Sequence, residues 1–578
     1  MSSVKECEID FNKDQFPPFP IARYLLGKKE KYNFLMEKTN IHSLSFYQIY
    51  PRSFCDSNGD GIGDIQGIIS KLDYLSSLGV DVIWLSPIYD SPLVDMGYDV
   101  KDYYKIHKDY GTMEDFDLLI KEAKKRNIRI VMDLVVNHTS DQNEWFIKSK
   151  DPSSPYRDYY YWRKGKGKKA PNNWTSMFTG SAWEYDPSSK EYYLHLYSKE
   201  QPDLNYHNPK VIEEVENILR FYLDKGVYGF RCDVINQIYK ESLEDGKGHY
   251  FSGRGQEHYL MKKGNHDILA KFYNDVFSKY DSVVIGETFN VDLENGKKFL
   301  SNHELDMFFQ FELMGVTKSK LPVFKKKFKS KEFFSIIKKW QENISWNANY
   351  LENHDQLRSI YKFGDEKHHY LESAKALGLI NLTLRGSPFI YQGEEIGMTN
   401  LPVSKDISTS KDVVSIQVNN IMKKLLFPSC LRNKLIFNID RDNCRSPMQW
   451  DDSFNAGFTT SNNPWIRVNP NYKEINAKNN VKDPNSIFSF YKELLKLRKD
   501  NEVLQEGDFK YISSYKDVFA FSRNYKDNEA LIIVNLGKKT RKSKVDATDF
   551  DKVLATLENK NEGILLPYEG RVYFKKKI

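Results

Sequence analysis

The 578-residue sequence predicts an α/β chain: a (β/α)8 TIM barrel with a small domain inserted after strand 3 and an antiparallel β domain at the C-terminal end. Two observations predict it. Eight short, β-branched apolar runs alternate with longer stretches of helical period, the pattern of parallel strands joined by crossover helices. After about residue 497 the chain changes to closely spaced alternating runs such as VFAFSR and ALIIVNL, which read as an antiparallel module.

Taken in order, residues 1–42 form an N-terminal extension without a readable motif. The barrel occupies 43–138 and 209–496. Its strands are read at 45–54, 79–87, 128–138, 229–234, 282–288, 305–311, 347–355 and 387–395. Helices are read at 113–126, 209–225 and 371–380; the first two carry apolar residues on one face and charges on the other. Residues 139–208, rich in Pro, Asn, Trp and Tyr, are too long for a simple crossover and are expected to be an inserted domain. A smaller insertion is expected near 398–480, and 497–578 is expected to be a β-sandwich domain.

Composition narrows the function classes. Lys+Arg 85 against Asp+Glu 79 leaves +6, a small excess scattered along the chain, so nucleic acid is not the implied partner. Lysine runs such as 325–327 and 575–577 read as solvated faces. Five cysteines, an odd number with no CxxC spacing, point to a reducing compartment and away from a disulfide framework or a zinc site. No apolar leader core and no window of about 18 apolar residues is present, so a cytoplasmic protein without a membrane partner is expected, as a monomer. Aromatic residues reach 14%, which suits stacking on sugars or bases and equally suits a coding bias.

The C-terminal ends of the predicted strands collect polar residues: Asn137 and His138 after strand three, Arg231 and Asp233 on strand four, Glu287 on strand five, His354 and Asp355 on strand seven. In a barrel those ends form one mouth. Three carboxylates gathered there raise one another's pKa, an arrangement suited to metal binding or acid–base chemistry. The histidines lie on different strands with no HxxxH pair, which disfavours a metal centre. Retaining glycosidic cleavage fits better, since it needs one ionised and one protonated carboxyl about 5–5.5 Å apart, a spacing that adjacent strands supply.

The short sequences DLVVNH (133–138), GFRCDV (229–234), IGET (285–288) and NHD (353–355) resemble, in order and spacing, the four conserved regions of the α-amylase superfamily of retaining glycoside hydrolases. WLSPI, QPDLNY, YQGEEIGM and RDNCRSPMQWD extend the resemblance over roughly residues 44–578. It implies that Asp233 is the nucleophile, Glu287 the general acid/base and Asp355 the third carboxylate, distorting the bound ring. Arg231 shares a strand face with Asp233, and its charge is expected to keep that carboxylate ionised. His138 and His354 are expected to bind hydroxyls of the sugar in the −1 subsite.

QPDLN and RSPMQWD resemble the oligo-1,6-glucosidase, maltase and sucrose-isomerase branch. By that likeness Asp95 pairs with Arg445 and closes the pocket against a terminal glucose, making the enzyme exo-acting. Tyr98 is expected to stack on that glucose, with Phe178, Tyr197 and Gln201 as further lining. Val234, directly after the nucleophile, accompanies α-1,6 activity in this branch, although one side chain biases linkage by only about 1–3 kcal/mol. The expected substrate is a small oligosaccharide, isomaltose and short isomalto-oligosaccharides. Maltase or sucrose-type hydrolysis and sucrose isomerisation are the alternatives, and a catalytically silent binding module is the remote one.

DSNGDGIGD (56–64) places Asp56, Asn58, Asp60 and Asp64 at alternating positions around glycines, as a Ca²⁺ or Mg²⁺ loop requires. The branch implies that the carbonyl of Ile62 joins them around a structural cation; the competing reading is a loop of Asx-turns without metal. No organic cofactor is expected.

Overall fold

The structure is a computed structural model that describes residues 38–167, 169–248, 252–319 and 323–576. Most of the predicted 1–42 extension lies outside the described residues, as do Cys7 and Lys577. Eight parallel strands form one curved sheet: β1 (Phe46–Ile49), β2 (Val82–Leu85), β3 (Arg129–Leu134), β4 (Gly229–Cys232), β5 (Val283–Glu287), β6 (Met307–Phe309), β7 (Ala348–Asn349) and β8 (Ser387–Tyr391). The hydrogen-bonded order is β6-β5-β4-β3-β2-β1-β8-β7, a barrel ladder open between β6 and β7. Side chains span that gap: the Tyr350 hydroxyl donates to the Gln310 carbonyl at 2.9 Å, and the Phe309 and Tyr350 rings meet edge to face at 5.0 Å.

Every barrel strand lies within its predicted run, but most are shorter. The predicted run 128–138, for example, leaves the ladder after Leu134, and 347–355 leaves it after Asn349. In both runs the residues beyond the ladder end in polar groups, Asn137-His138 and Asn353-His354-Asp355, which turn away from it to build the mouth. Inside the ladder the strands are buried throughout, as expected of a parallel sheet covered on both sides.

Local chemistry fixes the crossover helices. Helix Met113–Lys125 begins in a capping box, Thr112 accepting from the Asp115 N–H while Asp115 accepts from the Thr112 N–H. Helix Pro209–Asp224 has Asn208 as its N-cap and Pro at its first position, where a missing N–H costs nothing. Helix Tyr370–Thr383 is buried along nearly its whole length, which explains why it lacks an amphipathic pattern.

Between β3 and helix Pro209–Asp224 a three-stranded antiparallel sheet forms from Trp162–Arg163, Trp183–Asp186 and Glu191–Leu194. Helices Val413–Lys424 and Ser429–Ile436 occupy the second long interval. The C-terminal region is a five-stranded antiparallel sheet of β9 (Asp508–Tyr515), β10 (Val518–Tyr525), β11 (Asn528–Asn535), β12 (Phe550–Ala555) and β13 (Gly570–Lys575), in the order β9-β10-β11-β13-β12. Buried Arg523 ties it to the barrel by donating to the carbonyls of Thr383 and Leu504 at 2.8 and 3.0 Å. Among the described residues no helix is long and apolar enough to cross a membrane.

Candidate active site

Strand geometry brings the acidic residues together. Arg231 pairs in register with Asp133 on β3 and with Ile285 on β5, so its side chain enters the barrel beside both neighbours. Asp233 lies two residues on, on the same face by the period of two. Glu287 is the last residue of β5. Arg231, only 1% exposed, is shared by all three acids. Its Nη1 lies 2.7 Å from Asp133 Oδ1 and 2.7 Å from Asp233 Oδ1, and its Nη2 lies 2.6 Å from Glu287 Oε2.

One permanent cation cannot neutralise three carboxylates. Burial pushes the Asp233 carboxyl well above the usual range, and the charges of Glu287 and Asp133 add to it against the pull of Arg231. The expectation that the Arg231 charge keeps Asp233 ionised is therefore corrected for the free site: desolvation outweighs the guanidinium. Asp133, raised to about 6 chiefly by burial, also accepts from Trp84 Nε1 at 3.2 Å and from the Tyr98 hydroxyl at 3.1 Å. With both oxygens occupied it supports Arg231. Sequence reasoning assigned it no role, although its place four residues before Asn137 in DLVVNH was the available signal.

Val234 follows Asp233 at φ 38°, ψ 38°, in the left-handed region that a β-branched residue seldom adopts. Strain of this kind costs on the order of 1–3 kcal/mol and is tolerated where the surroundings impose it. Here the turn aims the Val234 N–H at Glu287 Oε2, 3.3 Å away.

Asp355 sits apart from that trio, in a cationic setting. Burial raises its pKa, but His354, charged only at the low pH where this carboxyl titrates, and Arg441, Arg445 and Arg231 together outweigh it and hold the carboxyl far below the usual range. Arg445 Nη2 and Arg441 Nη1 both contact Asp355 Oδ1, at 2.8 and 3.2 Å. Arg441 Nη2 also reaches Asp95 Oδ1 at 3.3 Å, and its Nε lies 2.7 Å from the buried Asp412. The expected Asp95–Arg445 pair is thus corrected. The Asp95 partner is Arg441, one turn earlier, while Arg445 is held by Asp355 and by the His354 carbonyl at 3.0 Å. A 3-10 turn over Arg441–Asn443 swings the first arginine toward Asp95, a bend invisible in the linear motif.

The remaining candidates surround these acids. Tyr98 and His354 rings stack at 5.4 Å and 6°, and the Tyr98 hydroxyl meets His354 Nε2 at 2.7 Å. Gln48 Nε2, from β1, contacts His354 Nδ1 at 2.7 Å; no sequence signal had marked it. Burial pushes His354 down to about 3 and His138 down to about 4, so both imidazoles are neutral at pH 7. Gln201 Nε2 donates to the Tyr98 carbonyl at 3.1 Å and to Asp95 Oδ2 at 3.4 Å. Tyr197 packs against His138 at 5.2 Å and against Phe178 at 5.5 Å, and Arg441 lies over the Phe178 ring at 5.9 Å. All thirteen candidate catalytic and substrate-binding residues thus join one contiguous network.

The loop of the expected cation site is tightly turned on its own side chains. Asp56 accepts from the N–H groups of Asn58, Gly59 and Gly61 and from the Thr459 hydroxyl. Asn58 accepts from Asp60 N–H, and Asp60 from Ile62 N–H, a chain of Asx-turns. Asp64 turns inward as the N-cap of helix Ile65–Ser70, accepting from Gly67 N–H at 2.6 Å and from Ser57. Among the described residues no group of three or more His, Cys, Asp or Glu side chains converges to hold a metal. Asp64 is thus a helix cap as well as a member of the expected five-ligand set. The spacing Asp64-x-x-Gly67 before an apolar helical run was the signal for it.

The α-amylase catalytic-domain family model matches residues 48–507. The oligo-1,6-glucosidase of Parageobacillus thermoglucosidasius is 45% identical over 560 residues, 91% of this chain and 97% of that protein, and that of Bacillus cereus is 46% identical over 517 residues, 86% and 91%. Among solved structures, the trehalose-6-phosphate hydrolase of Bacillus licheniformis superposes with a TM-score of 0.87 at 39% identity, covering 93% of this chain and 100% of that one. The isomaltulose synthase of a Klebsiella species does so with a TM-score of 0.88 at 39% identity and the same coverage. The acidic barrel mouth and these likenesses agree, and the chain belongs to the α-amylase family of glycoside hydrolases.

Proposed function

We propose that the protein is an exo-acting, retaining α-glucosidase that releases glucose from α-1,6-linked ends of isomaltose and short isomalto-oligosaccharides. The observation that carries this reading is Arg231 forked across Asp233 and Glu287 on adjacent strands, with Asp355 in the same mouth. Glu287 gives its proton to the glycosidic oxygen while Asp233 attacks the anomeric carbon, forming a β-glucosyl ester. Water then attacks that ester, Glu287 takes the water proton, and α-glucose leaves. The raised carboxyl of Asp233 in the free site fits a pair that keeps one proton until substrate arrives. Positive charge growing at the anomeric carbon favours Asp233 as the anion, so the proton resides on Glu287 at attack. Asp355, ionised at every working pH, stabilises the oxocarbenium-like transition state.

Exo action is supported by Arg441, which joins Asp95 to Asp355 across the site as a closed pocket end would require. Linkage is supported by Val234 and by the relatives described as oligo-1,6-glucosidases. The test is product analysis on isomaltose, maltose, sucrose and trehalose 6-phosphate. Preferred cleavage of isomaltose upholds the reading, and preference for another substrate keeps the chemistry while overturning the linkage.

The all-oxygen set of Asp56, Asn58, Asp60, Asp64 and the Ile62 carbonyl suits a hard cation such as calcium, completed by water, with a purely structural role. Adding calcium to chelator-treated protein then raises Tm. An unchanged Tm leaves the loop standing on its Asx-turns alone. A monomeric, cytoplasmic enzyme completes the proposal, checked by sedimentation and by fractionation.

A further inference from the structure

The structure assigns Lys240 as a positioning residue that, through Asn137, fixes which ring nitrogen of His138 carries the proton. Lys240, Asp203, Asn137 and His138 are all fully buried or nearly so. The Lys240 ammonium uses its three protons on Asp203 Oδ2 at 2.6 Å, Asn137 Oδ1 at 2.8 Å and the Gln237 carbonyl at 3.0 Å. The other end of Asn137, Nδ2, lies 3.2 Å from Asp203 Oδ2 and 3.1 Å from His138 Nδ1.

Two buried charges therefore set the amide. Turned over, Asn137 would face an ammonium with its N–H₂ and a carboxylate with its oxygen, and both contacts would be repulsive. In the observed orientation an N–H points at His138 Nδ1, which must accept. A neutral imidazole with Nδ1 unprotonated carries its proton on Nε2 and donates it to the Tyr98 carbonyl at 3.0 Å. The Gln201 amide also approaches this ring. Its oxygen accepts from Ser198 N–H at 3.0 Å, while its Nε2 lies 3.1 Å from the Tyr98 carbonyl, 3.4 Å from Asp95 Oδ2 and 3.1 Å from His138 Nε2. With Nε2 of His138 protonated, the ring and Gln201 both donate to the Tyr98 carbonyl; the Asn137 amide, locked by two charges, selects that arrangement over a Gln201-to-His138 bond.

A chain of four groups thus runs from an ion pair to the pocket wall. With the opposite tautomer, a lone pair on Nε2 would face the Tyr98 carbonyl oxygen. The segment holding Tyr98 against His354 and Asp133, and Asp95 near Arg441, would lose one of the two donors to its Tyr98 carbonyl. The catalytic consequence rests on the proposed glucosidase reading; the tautomer itself does not.

The test begins with the full-length wild type labelled with ¹⁵N-histidine, His138 being assigned by the signal lost in His138→Asn. Proton attachment at Nε2 is expected, and attachment at Nδ1 overturns the inference. The second step is the double variant Asp203→Asn with Lys240→Met, which removes both charges together and so avoids leaving one buried and unpaired. The amide introduced at position 203 still accepts from Leu196 N–H, as Asp203 Oδ1 does at 2.8 Å, so its N–H₂ faces Asn137 and turns that amide over. The proton then moves to Nδ1, and kcat/KM on isomaltose falls roughly ten- to hundredfold. Should the double variant not fold, Asn137→Asp keeps the ion pair and presents an acceptor to Nδ1, with the same expected shift. A tautomer unchanged in the folded variants, or a switched tautomer with wild-type kcat/KM, overturns the positioning role. Absence of glucosidase activity in the wild type overturns the function and leaves the tautomer result standing.

Discussion

Two clusters of three buried carboxylates, each with an arginine, sit close together in this barrel and differ sharply. At the barrel mouth, Asp133, Asp233 and Glu287 share Arg231. Beside β8, the charges of Glu352 and Glu395 act on Glu394, and Arg358 binds Glu352 at 2.9 Å. In the second cluster the oxygens are met by protein donors. Glu352 accepts from Ser359 N–H and hydroxyl, and Glu395 from the Tyr47 and Tyr74 hydroxyls and Gly393 N–H. Glu394 accepts from Tyr491 and from Tyr391 N–H. No comparable set of hydroxyls surrounds Asp233 and Glu287, whose contacts are Arg231, each other and the strained Val234 turn. The comparison teaches that a count of buried acids does not mark a catalytic centre. What marks it is acid groups left for an outside partner to complete.

The largest effect is expected at the mouth. Asp233→Asn should lower kcat on isomaltose roughly 10⁴-fold or more with substrate binding retained, read by single-turnover kinetics and calorimetry. Near-normal turnover would erase the distinction between the clusters.

Next comes Glu395→Gln in the satisfied cluster. Burial raises this carboxyl from 4.5 to about 7, so the folded state keeps a proton that the unfolded chain has released. Its contribution is fully present below about pH 4.5 and is lost as pH rises through about 7, on the order of 3 kcal/mol in all. Denaturant melts between pH 5 and 8 should flatten in the variant while kcat stays within about twofold. A large fall in kcat with unchanged melts would move Glu395 into the catalytic class.

At the rim, Asp95→Asn should raise KM for isomaltose roughly tenfold, with a smaller change in kcat, because it weakens one charge-assisted contact to Arg441. The smallest effect is expected at Val234→Thr. A rise in maltose use relative to isomaltose of roughly tenfold, about 1–2 kcal/mol, would support its part in linkage.

Much of this contrast was legible in the sequence. The eight strands stood out because parallel strands buried on both faces read as continuous apolar runs. Asp233, Glu287 and Asp355 stood out because polar residues end those runs. What stayed hidden depends on geometry across the chain. Arg441 and Arg445 share one motif, and only the turn at Arg441–Asn443 decides which reaches Asp95. Gln48 lies inside an apolar strand, and its contact with His354 joins residues 306 positions apart. Asp64 fits two patterns at once, cation loop and helix cap, and only the folded helix after it makes the second visible. YQGEEIGM was readable as a family motif, but that its two glutamates are saturated by three tyrosines from distant segments was not.

The most direct test of the account is time-resolved proton NMR of isomaltose hydrolysis by the wild type beside Asp233→Asn. The account predicts that α-glucose appears first from the glycone, with β-glucose from it following only by mutarotation, and that the variant forms neither at a comparable rate. β-Glucose as the first glycone product, or α-glucose released by the variant at the wild-type rate, would contradict it.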